Sequence, residues 1–178
     1  KGTFGDQLIL GIPNNNVRKQ YYGYLLAQYQ EQKYVNLAEL KTKFTYMAFE
    51  GKWEDALGHM AKAYADVSSV RDGIEAERNL QGFFMAYLSL NNYYITAPEL
   101  EMSHGYCDFF LLPNLTHYDS KHSYIIELKV LSKKEWNEKV TDPELGEVTK
   151  AEKQWNDAVK QIKQYAAAPR VEALRQGT

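Results

Sequence analysis

Apolar side chains recur at helical spacing through the first part of the chain. Val17, Tyr21, Tyr24 and Leu25 share a face with Gln28, after the turn and cap cluster Pro13-Asn14-Asn15-Asn16. Asn36, followed three residues later by Glu39, has the form of a capping box. It opens a second stripe, Leu37, Leu40, Phe44 and Met47. Gly51 interrupts, and Trp53, Leu57, Met60, Ala61 and Tyr64 form a third. Residues 14–67 therefore read as three short helices with no strand. Gly5 to Ile12 alternates weakly and reads as a short strand or extended lead-in.

Beyond Ser68-Ser69 the period changes. Gly73 to Asn91 is patterned as a helix by Leu80, Phe83, Phe84, Tyr87 and Leu88. Tyr93 to Glu101 alternates as a strand, with Tyr94, Thr96, Leu100 and Met102 on one parity. Ser103-His104-Gly105 is a turn. Cys107 to Leu112 is a short apolar strand ended by Pro113-Asn114, and Leu115 to Ser123 is a polar connection. Tyr124 to Val130, Tyr-Ile-Ile-Glu-Leu-Lys-Val, is the clearest strand in the chain. Ser132 to Thr149 is charged and turn-rich and reads as a mobile loop. Lys150 to Ala168 is a long helix with Trp155, Val159, Ile162 and Ala166 on one face, stopped by Pro169. The order helix, strand, strand, strand, helix predicts an α/β core, a sheet of three or more strands with helices against it.

Composition narrows the function classes. The 178 residues suit one domain, or one domain with a helical appendage, and 44% apolar residues exclude wholesale disorder. A formal net charge of -2 excludes a basic nucleic-acid coat protein. It leaves room for an enzyme whose acidic metal site offsets local basic strips. Cys107 is the only cysteine, so an internal disulfide and a Cys-based zinc cluster are both excluded. That fits a reducing, cytoplasmic setting. No apolar run approaches the length of a membrane-spanning helix. Fourteen Tyr and five Pro predict a tyrosine-lined core and long helices. The opening Lys1-Gly-Thr-Phe-Gly lacks a signal-peptide pattern and reads as a cut from a longer protein.

The candidate chemistry is charge placed inside apolar strands. Asp108 sits in Tyr-Cys-Asp-Phe-Phe; Glu127 and Lys129 sit in Ile-Ile-Glu-Leu-Lys. Such groups are costly to bury unless paired or metal-bound. Strand alternation points Glu127 and Lys129 the same way. With Asp108 at a similar height on the neighbouring strand, two carboxylates and an ammonium converge. Two carboxylates with a backbone carbonyl suit a hard divalent cation, which holds a phosphate and acidifies water, while a lysine offsets developing charge. An ion-pair network on an edge strand is the alternative.

Glu77 lies on the stripe of Leu80, Phe84 and Leu88, where a carboxylate is out of pattern unless it simply favours the helix N-terminus. Gln161 and Tyr165 stack four apart, flanking Ile162. His104 is either a phosphate or metal neighbour or a turn histidine. Cys107 is expected on the sheet face opposite Asp108, as an inert small hydrophobe. Lys133, Lys134 and Lys139 either touch nucleic acid or are solvated, the commoner role of a charge run.

The ordered set Glu77 (helix), Asp108 (strand), Glu127-Leu128-Lys129 (strand) and Gln161-x3-Tyr165 (helix) resembles the PD-(D/E)XK nuclease superfamily. The likeness is closest to a branch found as the C-terminal domain behind an AAA-ATPase-like domain in bacterial proteins. It extends to Gln81-Gly-Phe-Phe-Met-Ala-Tyr-Leu, Pro98-Glu-Leu-Glu101, Gly105-Tyr-Cys-Asp108 and Ala158 to Tyr165. Ile12-Pro13-Asn14 with Val17-Arg18 is similar to the segment joining the two parts.

The resemblance implies a restriction-endonuclease-like core, a mixed sheet flanked by helices, over 71–178. An N-terminal all-helical segment over 1–70 would lie on the linker side of an upstream ATPase-like domain. Its helices would dock on the core, bind a partner or face that domain. Asp108 and Glu127 would hold Mg²⁺ or Mn²⁺, with the Leu128 carbonyl as a third ligand. Lys129 would be the catalytic lysine and Glu77 an accessory acid. Gln161 and Tyr165 would contact the metal site or phosphate backbone. Tyr106 stands where relatives often carry arginine, so one phosphate contact is missing or supplied elsewhere. The implied function is metal-dependent hydrolysis of nucleic acid, DNA or RNA. The alternative is a catalytically silent module binding nucleic acid or protein under control of the ATPase-like part.

Overall fold

The computed structural model describes Val17, Gln20, Tyr24 and residues 36–67, 74–102 and 105–176. The expected strand over Gly5 to Ile12, most of the first helix and His104 lie outside the described residues. Val17, Gln20 and Tyr24 are helical and exposed.

Helix α1 (Leu37–Glu50) starts where Asn36 accepts a hydrogen bond from the Glu39 N–H at 3.3 Å. It stops at Gly51, whose φ of 75° is the left-handed conformation that suits glycine. Helix α2 (Trp53–Val67) follows at once, and α3 (Ile74–Leu88) completes a helical layer. Leu40, Phe44 and Met47 of α1, Ala56 and Met60 of α2, and Phe83, Tyr87 and Leu88 of α3 form one buried cluster. Tyr94, Phe109, Leu111, Ile126 and Leu128 join it from the strands. Helices α1 and α2 thus dock on the sheet, the first of the three roles open to them. Each fully buried Phe or Leu contributes about 1.5–3 kcal/mol, so this face anchors everything built on the sheet.

The sheet consists of β1 (Tyr94–Met102), β2 (Gly105–Pro113) and β3 (Tyr124–Ile126), antiparallel in that order. The expected strands are present, but the third pairs only over Tyr124–Ile126, not to Val130. Alternation also reverses partway along the hairpin. Tyr94, Phe109 and Leu111 face the helical layer, whereas Leu100, Met102 and Cys107 face the opposite cluster. Strict parity would have put Tyr94 with Leu100 and Met102. The reversal coincides with Glu99, whose φ of 48° is the only positive value for a non-glycine among the described residues.

The second face is covered by α5 (Lys150–Ala166) and α6 (Pro169–Gln176). Met102, Cys107, Phe110, Tyr165, Ala168 and Val171 pack there. Pro169 ends one helix by opening the next, the first-turn position where its missing N–H costs nothing. The inward face of α5 is Ala158 and Tyr165, with Ile162 half-buried; Trp155 and Ala166 point outward, contrary to the periodicity. Among the described residues Tyr87, Tyr94 and Tyr165 are buried in the core, and Tyr64, Tyr93 and Tyr124 pack against it half-buried.

Residues 132–149 are not an irregular loop. They form a helical turn, α4 (Lys133–Trp136), with a Ser132/Glu135 capping box, then a hairpin of β4 (Lys139–Asp142) and β5 (Gly146–Thr149). Its acids meet lysines of α5: Glu135 and Glu138 pair with Lys150, Asp142 with Lys153, and Glu144 with Lys160. Periodicity carries no sign of such distant ion pairs.

Candidate active site

The β2–β3 register pairs Phe109 with Ile126, so continuing it sets Glu127 across from Asp108. On the other side of β2, Pro98 pairs with Phe109 and Leu100 with Cys107, which sets Glu99 across from Asp108. Three acids on three adjacent chain segments therefore share one level of the sheet.

Asp108 is held by two donors from different elements. Its Oδ2 accepts from the Leu128 N–H at 2.6 Å, and its Oδ1 accepts from Gln81 Nε2 of α3. The first bond explains the short third strand: the Leu128 amide is committed to a carboxylate and not to the ladder. Gln81 was not among the expected site residues. Its signal was available, since it lies four residues after Glu77 and so one turn along α3.

Glu127 is set differently. Its side chain is 5% exposed; Oε1 accepts from Lys129 Nζ at 2.7 Å, and Oε2 is buried without a hydrogen-bond partner. Burial raises its pKa, and the Asp108 charge adds to this, outweighing the opposing bond and charge of Lys129 and a weaker contribution from the Asp108 N–H. Lys129 is pulled down by burial, yet the bond and charge of Glu127, with the charges of Asp108 and Glu77, hold its pKa above the ordinary value. It is a cation at neutral pH.

From Lys129 a chain of hydrogen bonds leads into the second core cluster. Lys129 Nζ donates to Gln161 Oε1 at 3.4 Å, and Gln161 Nε2 donates to Tyr165 Oη at 2.6 Å. The buried Tyr165 hydroxyl donates to the Tyr106 carbonyl at 3.0 Å. Gly105 makes room for this hydroxyl. A Cβ there would lie 3.2 Å from Tyr165 Oη, and its φ of 140° strains any other residue. Tyr106 itself is exposed, so the site uses its backbone and not its ring.

Glu77 is exposed on α3 and acts on Lys129 through charge. Among the described residues, no three His, Cys, Asp or Glu side chains converge as a ready metal cluster. Cys107 is fully buried beside Tyr165 and Met102, and burial pushes its thiol up to about 11, which leaves it inert. Two cavities open on the site. One of about 310 Å³ is lined by Gln81, Glu99, Tyr106 and Asp108. One of about 800 Å³ is lined by Glu127, Lys129, Trp136, Trp155 and Ile162 among others.

The donor set is all oxygen. Ionised carboxylate oxygens keep lone pairs beyond one hydrogen bond each, and Glu127 Oε2 is a buried acceptor without a well-formed hydrogen bond. These groups fit a hard divalent cation.

Comparison with known proteins bears on the same stretch. A family model described as PD-(D/E)XK nuclease superfamily matches residues 75–177, more than half of the chain. No curated protein and no solved structure gives a significant match.

Proposed function

From a chain that belongs to the PD-(D/E)XK nuclease superfamily, we propose a metal-dependent nuclease that hydrolyses phosphodiester bonds at Asp108, Glu127 and Lys129. Family membership gives a nuclease-type function with nucleic acid as substrate, and such nucleases generally use divalent metals.

The observation that carries the reading is the Glu127 carboxylate. It is 5% exposed, its pKa is raised, and Oε2 makes no well-formed hydrogen bond. A buried unsatisfied polar atom costs about 1–3 kcal/mol, more when charged. Lys129 and the Asp108 N–H offset only part of the cost of burying this charge, since the pKa stays raised; a bound cation would offset more. Asp108 and Glu127, with the Leu128 carbonyl, would hold Mg²⁺ or Mn²⁺. When bound, the ion supplies charge neutralisation at the phosphate and a more acidic water.

The remaining roles belong to the chain itself. Lys129 is kept protonated by the acids around it, ready to stabilise charge developing on the phosphate. Gln161 orients Lys129, and Tyr165, anchored on the Tyr106 carbonyl, orients Gln161. Glu77 acts as an accessory acid through its field on Lys129. An upstream ATPase-like domain is the proposed partner in the full protein. No described helix is long and apolar enough to cross a membrane.

The test is cleavage of single- and double-stranded DNA and RNA with Mg²⁺, with Mn²⁺ and with EDTA. Metal-dependent cleavage that falls by about 10²-fold or more in Lys129→Ala is expected, the usual loss when one charge-stabilising group is removed. Absent cleavage, or cleavage unchanged in Lys129→Ala, overturns the proposal. Tight binding without turnover would establish the silent module in its place.

A further inference from the structure

The larger cavity runs from Glu127 and Lys129 to two indoles, Trp136 on α4 and Trp155 on α5. They are 60% and 70% exposed. Helical periodicity directs Trp155 inward, yet α5 packs through Ala158 and Tyr165 and leaves the indole on the groove wall. Two exposed tryptophans on one groove are out of keeping with a surface that only meets water.

The charges around the groove sort into two sets. Glu135, Glu138, Asp142 and Glu144 are taken up by lysines of α5. Lys133, Lys134 and Lys139, on either side of Trp136, are exposed and have no ion pair among the described residues. Of the groove's two acids, Glu127 is paired with Lys129, and Glu152 is turned to the Thr149 N–H and hydroxyl at 2.8 and 2.9 Å, closing the α5 cap. Lys139 acts on Glu152 through charge, so Lys133 and Lys134, next to Trp136 in the chain, are the exposed cations left beside this aromatic platform.

We propose that this groove binds an unpaired nucleic-acid strand. Bases stack on Trp136 and Trp155, phosphates lie toward Lys133 and Lys134, and the strand leads to Lys129. The proposal rests on the nuclease reading for its orientation but stands on its own observations. A duplex hides its base faces and is held mainly through phosphates. A chain of net charge -2 with two such lysines beside Trp136 is poorly equipped for that. An unpaired strand offers π-faces, and each base stacked on an aromatic ring contributes affinity of its own.

The test uses fluorescein-labelled oligo(dT), oligo(U) and a duplex, each of about 12 nucleotides or base pairs. Anisotropy is read in EDTA, so that no strand is cut. The proteins are the wild type, Trp136→Ala, Trp155→Ala, the double variant, Trp155→Phe and Lys129→Ala. Both rings are exposed, so far-UV circular dichroism should be unchanged. At least one single strand is expected to bind roughly tenfold or more tighter than the duplex, as stacking requires. Each Trp→Ala change is expected to weaken that binding by about 5- to 150-fold, while Trp155→Phe keeps most of it. Equal or tighter binding of the duplex, no binding of any probe, or unchanged binding by the double variant each overturns the proposal. Trp-dependent strand binding without any metal-dependent cleavage upholds the groove and removes only the nuclease reading.

Discussion

Replacing Asp108 by Asn tests whether this carboxylate holds the fold as well as the proposed chemistry. The side chain accepts from the Leu128 N–H at 2.6 Å and from Gln81 Nε2. Asparagine keeps the volume but offers one oxygen, so either way round its NH2 meets a donor. One charge-assisted hydrogen bond is lost, about 1.5–3 kcal/mol. Relief of repulsion against Glu127 and access of water to this half-buried position offset part of that. The expected net destabilisation is about 1–3 kcal/mol, or a fall in melting temperature of about 2–12 °C for a chain of this size. Urea unfolding in EDTA at neutral pH reads it as a lower midpoint at unchanged m. In a double-mutant cycle with Gln81→Ala, a coupling of about 0.5–3 kcal/mol is expected because the residues touch. A midpoint equal to or above that of the wild type, or strict additivity with Gln81→Ala, refutes the reasoning.

Glu127→Gln should act in the opposite direction. The folded Glu127 carboxyl has a raised pKa, so its contribution to stability is present below the ordinary glutamate range and lost as pH rises through the raised value. The Gln variant escapes that loss, and its stability relative to the wild type should rise between about pH 4 and pH 7; urea unfolding across that range with a flat or falling difference would count against it. Tyr165→Phe leaves the Tyr106 carbonyl and Gln161 without the buried hydroxyl. About 1–3 kcal/mol of stability should go, and in a cleavage assay kcat should fall more than KM rises, since Lys129 loses its positioning; equal kcat would contradict the relay.

Much of this was legible in the residues because period and polarity report local structure directly. Three strands and the helices around them followed from alternation and helical spacing. Asp108, Glu127 and Lys129 stood out because each interrupts an apolar strand, and the strand register then brought Glu127 level with Asp108. What was illegible depends on where single polar groups go. Gln81 looks like an ordinary polar residue on a helix until its amide is found on Asp108. The third strand reads as continuous to Val130, but one amide diverted to a side chain ends its pairing. The reversal at Glu99 is a backbone torsion that alternation does not encode. The 133–149 hairpin is held by charges up to sixteen residues away on α5, beyond the reach of any local pattern. Trp155 lies outward against its helical spacing; an apolar side chain at the right spacing does not reveal whether its face is covered.

The unequal treatment of the two carboxylates has an evolutionary meaning. Were the proposed catalysis abandoned in a descendant of this chain, Asp108 and Gln81 would still be needed, because together they join a helix to the end of a strand. The descendant would gain by discarding Glu127, whose ionisation works against the folded state. Under the proposed nuclease reading, then, the aspartate records ancestry across a lineage, and the glutamate records whether selection for activity is still in force.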